Sequence, residues 1–270
     1  RSIWVTGVQT CALPICPHGV MQAIGCFQNA VQQDPDYTLA YVGLADAYNQ
    51  IAYYSPSPPK ALFERSQLFL QRALALEPDL AEAVASQGYL DMFLHRDLAR
   101  AEHHLTRATA LNPNYTYSYG WLSLLTSMQG DYARALDYAR QGQALDSLGP
   151  GYPAHIGFIH RCMGRLDEAI QSFETSLRND SKDPKTLFPY AMSLIDSGQL
   201  DKARTVAQAL LDRYREMPAA QGAYACIVAQ CGDTGEAREI LSSLTAQQPE
   251  RYLAPIGFAW MHLEIGRAHV

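Results

Sequence analysis

A period of about 34 residues, a length typical of helical repeats, constrains the fold of this chain more than any other feature. Four glycines recur at this period, each is followed five positions later by alanine, and a pair of one large and one small residue recurs upstream at the same interval. The glycines are Gly130, Gly164, Gly198 and Gly232, the alanines are Ala135, Ala169, Ala203 and Ala237, and the first and last pairs are Leu122-Ser123 and Phe258-Ala259. Such a period indicates an array of similar small units rather than one domain around a single core.

Each period predicts a hairpin of two helices. Apolar residues around the large and small pair fall at helical spacing, and the glycine that follows can adopt the left-handed conformation that ends a helix. A second helix then begins two or three positions later, often with aspartate near its start, where the helix dipole favours negative charge. The recurring alanine allows this second helix to approach the small member of the pair. One hairpin cannot bury its apolar face alone, so the hairpins are expected to stack into an all-α fold.

The hairpins resemble the tetratricopeptide repeat family, in which a small residue, a bulky residue, another small residue and a proline follow at spacings of four, three and five. Three sets of residues match this pattern: Ala23-Phe27-Ala30-Pro35, Ser66-Leu70-Ala73-Pro78 and Ala101-Leu105-Ala108-Pro113. The later repeats depart from it, because Ser147 replaces the proline and Pro184 comes three positions late. The resemblance implies a right-handed superhelical solenoid of stacked antiparallel helix pairs.

The period divides residues 16–264 into a half repeat, six full repeats and a trailing first helix. The half repeat covers about 17–37, the full repeats cover about 38–80, 81–115, 116–149, 150–183, 184–217 and 218–251, and the trailing helix covers about 252–264. The first full repeat contains an insertion of nine residues from Tyr53 to Ala61. Its prolines predict an exposed turn instead of a continuous helix.

The two ends of the sequence do not follow the repeat pattern. The stretch "VTGVQTCALPI" resembles the translation of a common sequencing-library adapter, and "IGRAHV" resembles the reverse adapter. We therefore expect residues 1–15 and 265–270 to be adapter-derived and the repeats to be a fragment of a longer chain. Two observations leave the alternative open: Gly266 is in phase with Gly232, and "ALPIC" resembles a lipoprotein cleavage box with Cys16 as the lipidated residue.

Composition argues against several classes of protein. The chain is 48% hydrophobic and 18% charged, which is typical of a folded chain. Its formal net charge of −6 argues against direct nucleic-acid contact by this segment, because such contact needs clustered lysine and arginine. No apolar run approaches the ~20 residues of a membrane span. We expect a cytoplasmic location, or a periplasmic one if an upstream segment exports the chain; the oligomeric state stays open.

The sequence contains no catalytic signature. It lacks the phosphate-binding, dinucleotide-binding, zinc-protease and nucleophile-elbow motifs. His103 and His104 are adjacent on a helix, so their side chains diverge by about 100° and cannot easily hold one ion. His155, His160 and Cys162 lie within one first helix and are a weaker metal candidate. We therefore expect no enzyme activity, no cofactor and no metal site.

Recognition is the chemistry that remains. In the family that these repeats resemble, the first helix of each repeat lines a concave groove. The groove positions that the resemblance assigns are Asp46, Asn49, Gln50, Tyr89, Met92, Phe93, Tyr117, Leu124, Met128, Phe158, Arg161, Phe188 and Met192. Aromatic residues and methionine suit adaptable contact with a peptide or a helix. The alternative is that many of these side chains pack against neighbouring repeats.

One binding mode of the family is disfavoured by the residues present. Repeats that clamp the C-terminal carboxylate of chaperones use lysine and asparagine at fixed groove positions. Those positions hold Val42 and Asp46 in the first full repeat and Ala85 and Tyr89 in the second. An acidic terminus would be repelled by Asp46, so a carboxylate clamp is not expected.

Two functions fit this module. The first is an interaction scaffold without catalysis that binds a partner protein or peptide in its groove. The second is the sensory or regulatory arm of a bacterial multidomain protein. Residues 41–90 resemble the C-terminal repeat arrays of winged-helix transcriptional regulators, adenylate cyclases and Ser/Thr kinases. Fold alone does not separate these functions.

Overall fold

A computed structural model of the chain describes residues 17–54, 59–147, 149, 151–179, 184–215 and 218–247. All regular structure in these residues is helical, as the sequence predicts. The chain divides into two compact units, unit 1 ending at Asp146 and unit 2 beginning at Ser147.

In the part of the chain that the structure describes, unit 1 contains three helical hairpins preceded by a single helix. Its elements are α1 (Pro17–Gln33), α2 (Thr38–Tyr54), α3 (Pro59–Leu76), α4 (Ala81–Leu90), a π-helical turn (Asp91–His95) that continues α4, α5 (Leu98–Leu111), α6 (Thr116–Met128) and α7 (Tyr132–Leu145). Unit 2 contains three further hairpins. Its elements are α8 (Gly151–Cys162), α9 (Leu166–Asn179), α10 (Pro184–Asp196), α11 (Leu200–Tyr214), α12 (Pro218–Gln230) and α13 (Thr234–Gln247).

The first helices of the hairpins form an inner layer within each unit. In unit 1, α2 contacts α4 and α4 contacts α6, while in unit 2, α8 contacts α10 and α10 contacts α12. Among the described residues, second helices of successive repeats make at most sparse contact with each other. Closer spacing of the first helices makes their face the concave side of each unit, as it is in stacked helical hairpins.

Small residues on the first helix let the second helix pack closely. Ser123 Oγ on α6 donates a 2.7 Å hydrogen bond to the backbone carbonyl of Ala135 on α7. In the next hairpin, a Cβ placed on Gly157 would lie 3.1 Å from the carbonyl oxygen of Ala169 and 3.0 Å from the ring of Phe173. The approach predicted between the small residue and the recurring alanine is therefore present in both units.

The four periodic glycines end their helices in the left-handed conformation. Their φ angles are 81°, 74°, 77° and 95° for Gly130, Gly164, Gly198 and Gly232. The residue after each glycine donates its backbone N–H to a carbonyl five positions earlier, for example Asp131 to Thr126 at 2.9 Å. This bond satisfies a carbonyl at the helix end, which only a left-handed residue allows.

Aspartates begin several second helices as N-caps. The carboxylate of Asp97 accepts from the backbone N–H of Arg100 at 3.0 Å, and that of Asp131 accepts from Arg134 at 3.2 Å. Asp233 accepts in the same way from Glu236. Each bond satisfies an N–H that has no partner within the helix, so these residues fix where the second helices start.

A fifth residue at the same period also ends its helix in the left-handed conformation, but it is not glycine and the glycine pattern does not include it. Arg96 lies one full period before Gly130 and adopts the same left-handed conformation, with φ of 56°. The hairpin that contains Arg96 is longer by one residue than the next hairpin. Its small residue and its alanine, Gly88 and Ala101, are 13 positions apart, whereas Ser123 and Ala135 are 12 positions apart. The π-helical turn Asp91–His95 absorbs that residue, because a π turn holds one residue more than an α turn.

The insertion in the first full repeat is more helical than its prolines suggest. Helix α2 continues to Tyr54 and α3 begins at Pro59, so five of the nine residues from Tyr53 to Ala61 are helical. Proline is compatible with the first position of a helix, where its N–H is not needed. Residues 55–58, the trailing helix predicted at 252–264 and the ends 1–15 and 265–270 lie outside the described residues.

Candidate interaction surface

Five aromatic side chains form a continuous cluster on the inner side of unit 1. Tyr89 lies at the centre, with ring centroids 4.6 Å from Phe93, 5.4 Å from Trp121 and 6.3 Å from Phe63. Tyr117 extends the cluster, with its ring 6.0 Å from Trp121. We call Phe63, Tyr89, Phe93, Tyr117 and Trp121 the aromatic cluster. All five keep some exposed surface, and Tyr117 is 40% exposed, so the cluster offers apolar area to a partner.

Sequence reasoning found only three members of this cluster. Trp121 follows Tyr117 by four positions on α6, so helical spacing could have identified it. Phe63 lies on a second helix, α3, where the family resemblance assigns no groove position. Its ring reaches Tyr89 and Phe93 only through the packing of α3 on α4.

The other groove positions assigned in unit 1 differ in exposure. Met128 is 50% exposed, whereas Gln50 and Leu124 are partly buried. Met92 is only 2% exposed and packs in a hydrophobic core with Leu105 and Leu122. The assignment of Met92 to the groove surface is therefore wrong, because its position in the π-helical turn directs the side chain into the core.

Asp46 is held by a short hydrogen bond between two first helices. Ser86 Oγ on α4 donates to Asp46 Oδ1 on α2 at 2.6 Å. Burial of the carboxyl group raises the pKa of Asp46 from 3.8 to about 7, opposed by the hydrogen bond from Ser86 and reinforced by the negative charge of Glu82. Removing solvent from a carboxylate disfavours its charged form, so Asp46 exchanges its proton near neutral pH.

Asn49 is a buried amide without a hydrogen-bond partner. The residue is 4% exposed, and neither its Oδ1 nor its Nδ2 is bonded to protein. It follows Asp46 by three positions on α2, which places both on one side of the helix. An unsatisfied buried amide costs about 1–3 kcal/mol, and Asn49, like Met92, presents almost no surface to a partner although it was assigned to the groove.

Charge is divided unevenly between the two helix layers of unit 1. Helices α2 and α4, the π-helical turn and α6 contain Asp46, Glu82 and Asp91 and contain neither lysine nor arginine. The described lysine and arginine residues of this unit lie on the second helices, apart from Arg96 in a turn. The inner layer of unit 1 is therefore acidic and aromatic.

Asp91 does not contribute to that surface, because it is neutralised in the interior. It is fully buried, accepts hydrogen bonds from Gln87 at 3.1 Å and His104 Nδ1 at 2.7 Å, and forms a 3.3 Å ion pair with Arg100. His103 is exposed beside His104. Among the described residues, no group of three His, Cys, Asp or Glu side chains could hold a metal ion.

The groove positions assigned in unit 2 are engaged within that unit. Arg161 on α8 forms a 2.7 Å ion pair with Asp196 on α10. Met192 is partly buried, and its sulfur accepts a 3.9 Å contact from Gln230 on α12. Phe188 is partly buried against the core of the unit, and Phe158 is 39% exposed. Arg161 and Met192 thus join neighbouring first helices, whereas the ring of Phe158 contacts His155 of its own helix. The four residues form no counterpart to the aromatic cluster.

The architecture and its inner face define a helical-repeat scaffold. Models of the tetratricopeptide repeat match residues 95–152 and 163–227. The human Tetratricopeptide repeat protein 13 is 31% identical over 160 residues, which cover 58% of this chain and 18% of that protein. Residues 95–152 and 163–227 therefore match tetratricopeptide repeats, in agreement with the sequence pattern.

A second relative is a bacterial regulator. The Transcriptional regulator HilA of Salmonella typhimurium is 23% identical over 146 residues, which cover 54% of this chain and 26% of that protein. The chain thus matches about a fifth to a quarter of the length of these curated relatives. Among the helices that the structure describes, none is long and apolar enough to cross a membrane.

Solved structures show the same fold. The Cut9-Hcn1 hetero-tetramer of the APC/C matches with a TM-score of 0.72 and 12% identity, over 98% of this chain and 49% of that chain. An IFIT1 monomeric mutant matches with a TM-score of 0.74 and 15% identity, over 85% of this chain and 55% of that chain. At such identity the likeness is one of fold alone.

Proposed function

We propose that this chain is a non-catalytic scaffold whose unit 1 binds a segment of a partner protein along its inner face. The family and the fold support an interaction scaffold. The observation that carries the finer proposal is the aromatic cluster, since large, rigid, partly exposed rings supply most of the energy in protein interfaces. Aromatic side chains lose little conformational freedom on binding, so a row of them suits a groove that receives a peptide.

Selection from a phage-displayed library of random 12-residue peptides tests this function. Peptides selected on the chain are labelled, and their affinities are measured by fluorescence anisotropy. We expect Tyr117→Ala and Phe93→Ala to weaken binding about tenfold or more, the effect of losing an aromatic interface residue. Tyr132→Ala, on the second helix α7 of the same unit, is the matched control and should leave affinity unchanged.

Two results would contradict the proposal. The first is the absence of any selected peptide. The second is equal binding by the chain, Tyr117→Ala and Phe93→Ala, because the selected peptides would then bind elsewhere. Circular dichroism of each variant shows that the helical fold is retained, so that a lost affinity reports the surface and not unfolding.

A regulatory arm is the second candidate function, and the match to HilA favours it. In that case binding of a partner in the groove would regulate an effector domain encoded in the same reading frame. Sequencing the source DNA on both sides of the frame tests this directly. A winged-helix, adenylate cyclase or kinase domain in frame is expected, and a frame that encodes only further repeats would rule the regulatory arm out.

A further inference from the structure

One face of α4 carries an acidic residue near its first turn and a member of the aromatic cluster near its last turn. Glu82, Ser86 and Tyr89 follow one another on α4 at steps of four and three, which is the spacing of a single helix face. The ring of Phe93, in the π-helical turn, lies 4.6 Å from the ring of Tyr89. Ser86 holds Asp46 of the neighbouring helix by its 2.6 Å hydrogen bond. Two carboxyl groups, from Asp46 and Glu82, therefore lie along the same face as the ring of Tyr89.

The first helices of unit 1 supply no cation that would offset these carboxyl groups. The described helices α2, α4 and α6 contain no lysine or arginine, and Glu82 accepts a 3.4 Å hydrogen bond from the neutral amide of Asn112. Asp91, the remaining acidic residue of this layer, already has Arg100 and His104 as partners. A partner that supplies positive charge would favour the ionised form of Asp46 and attract Glu82, whereas an acidic partner would be repelled.

Aromatic rings next to carboxylates favour a cationic side chain. The faces of tyrosine, tryptophan and phenylalanine rings attract lysine and arginine, and the attraction grows when the site is partly desolvated. Arginine also stacks on such rings while its planar group donates to carboxylates.

We propose that the inner face of unit 1 binds a segment of a partner protein that presents lysine or arginine, with the cationic side chain against the aromatic cluster and near the carboxyl groups of Asp46 and Glu82. This inference rests on the proposed function and names the class of segment that the groove receives.

The composition of the peptides selected on the chain tests the inference. We expect lysine and arginine to be enriched in the selected peptides relative to the unselected library, and their affinity to fall as salt is added. The double variant Asp46→Asn, Glu82→Gln should weaken these peptides about tenfold, the size of effect seen when charge pairs across an interface are lost. Asparagine at position 46 keeps an oxygen to accept from Ser86, which protects the fold.

A second double variant distinguishes the effect of the groove carboxyl groups from the effect of the negative charge of the whole chain. Asp137→Asn, Glu77→Gln replaces one aspartate and one glutamate at exposed positions on unit 1 outside its first helices, and it is compared at pH 8, above the pKa of about 7 of Asp46. We expect this control to change affinity less than twofold, a change of about 0.4 kcal/mol. Equal weakening by both double variants would overturn the inference, because attraction to the whole acidic surface would then explain the enrichment.

The remaining outcomes distinguish this inference from the function on which it rests. Selected peptides that are neutral or acidic, and that lose affinity in Tyr117→Ala, would overturn the cationic class while the binding function stands. A failure to select any peptide would contradict the binding function itself, and the inference with it.

Discussion

Gly88 on α4 allows Leu105 on α5 to reach the backbone of the first helix. A Cβ placed on Gly88 would lie 2.7 Å from Cγ of Leu105 and 3.2 Å from the carbonyl oxygen of Ala101. Both partners are fully buried, so neither can move without disturbing the core between α4 and α5. This contact is where the small residue of the repeat pattern acts on packing.

Gly88→Ala is therefore expected to destabilise the chain in spite of the higher helix propensity of alanine. Overpacking in a close-packed core costs about 1–3 kcal/mol, and urea unfolding followed by circular dichroism measures the loss. Gly25→Ala on α1 is the matched control, since a Cβ there meets nothing within 4 Å. It should gain up to about 1 kcal/mol from helix propensity. Equal effects of the two substitutions would contradict the packing role of Gly88.

Arg96→Gly is expected to stabilise the chain. Arg96 has φ of 56°, where a Cβ crowds the backbone, and Gly130 occupies the equivalent position of the next repeat. Relief of this strain is worth about 1 kcal/mol, which urea unfolding can resolve. Gly130→Arg is the reverse substitution and should lose a similar amount. A loss of stability in Arg96→Gly would show that contacts of the arginine side chain stabilise the fold by more than the left-handed backbone conformation destabilises it.

Asp91→Ala is expected to destabilise unit 1 strongly. The substitution leaves His104 and Arg100 of α5 without the buried carboxylate that both now contact. Arg100 is 55% exposed and stays hydrated, so the cost is that of leaving buried hydrogen-bond donors without their acceptor, about 1–3 kcal/mol. The free energy of unfolding should fall accordingly, whereas exposed Asp137→Asn should change it by less than about 0.5 kcal/mol. A small effect of Asp91→Ala would mean that the network does not hold the π-helical turn.

Asp46 makes stability depend on pH in an unusual direction. Its pKa is about 7 in the folded chain against an ordinary 3.8, so between these values the folded chain retains a proton that the unfolded chain has lost. The contribution of Asp46 is fully present below about pH 4 and is lost as pH rises through 7. Asp46→Asn should flatten this fall between pH 5 and pH 8, as measured by urea unfolding at each pH. A slope identical in the chain and in Asp46→Asn would rule out Asp46 as its source.

The repeat architecture was predictable because residues close together in the sequence determine it. Gly130 and the glycines in phase with it mark helix ends by backbone conformation alone, and Asp131 marks the next start through a capping bond to a near neighbour in the chain. Ser123 and Ala135 identify the packing side because small residues permit close approach. The left-handed conformation of Arg96 was not predicted, because the surrounding hairpin imposes it and no glycine marks the position in the sequence.

The candidate surface was predictable only in part. Tyr89, Phe93 and Tyr117 were assigned to the groove through the family resemblance. The same resemblance misplaced Met92, because the π-helical turn changes which side chains face the core. Phe63 joins the aromatic cluster from a different helix of the preceding repeat. No spacing rule connects Phe63 with Tyr89.

The sequence by itself determined that the chain is an array of helical hairpins of the tetratricopeptide type, since helix periodicity, helix ends and small packing residues all depend on neighbours within one hairpin. Only the tertiary structure decided what the inner face of unit 1 presents. The hydrogen bond between Ser86 and Asp46 and the assembly of the aromatic cluster depend on contacts between hairpins. The contacts of Asp91 with Arg100 and His104 lie within one hairpin but depend on how α5 packs against the π-helical turn, and the burial of Asn49 depends on exposure. The order of residues along the chain specifies none of these.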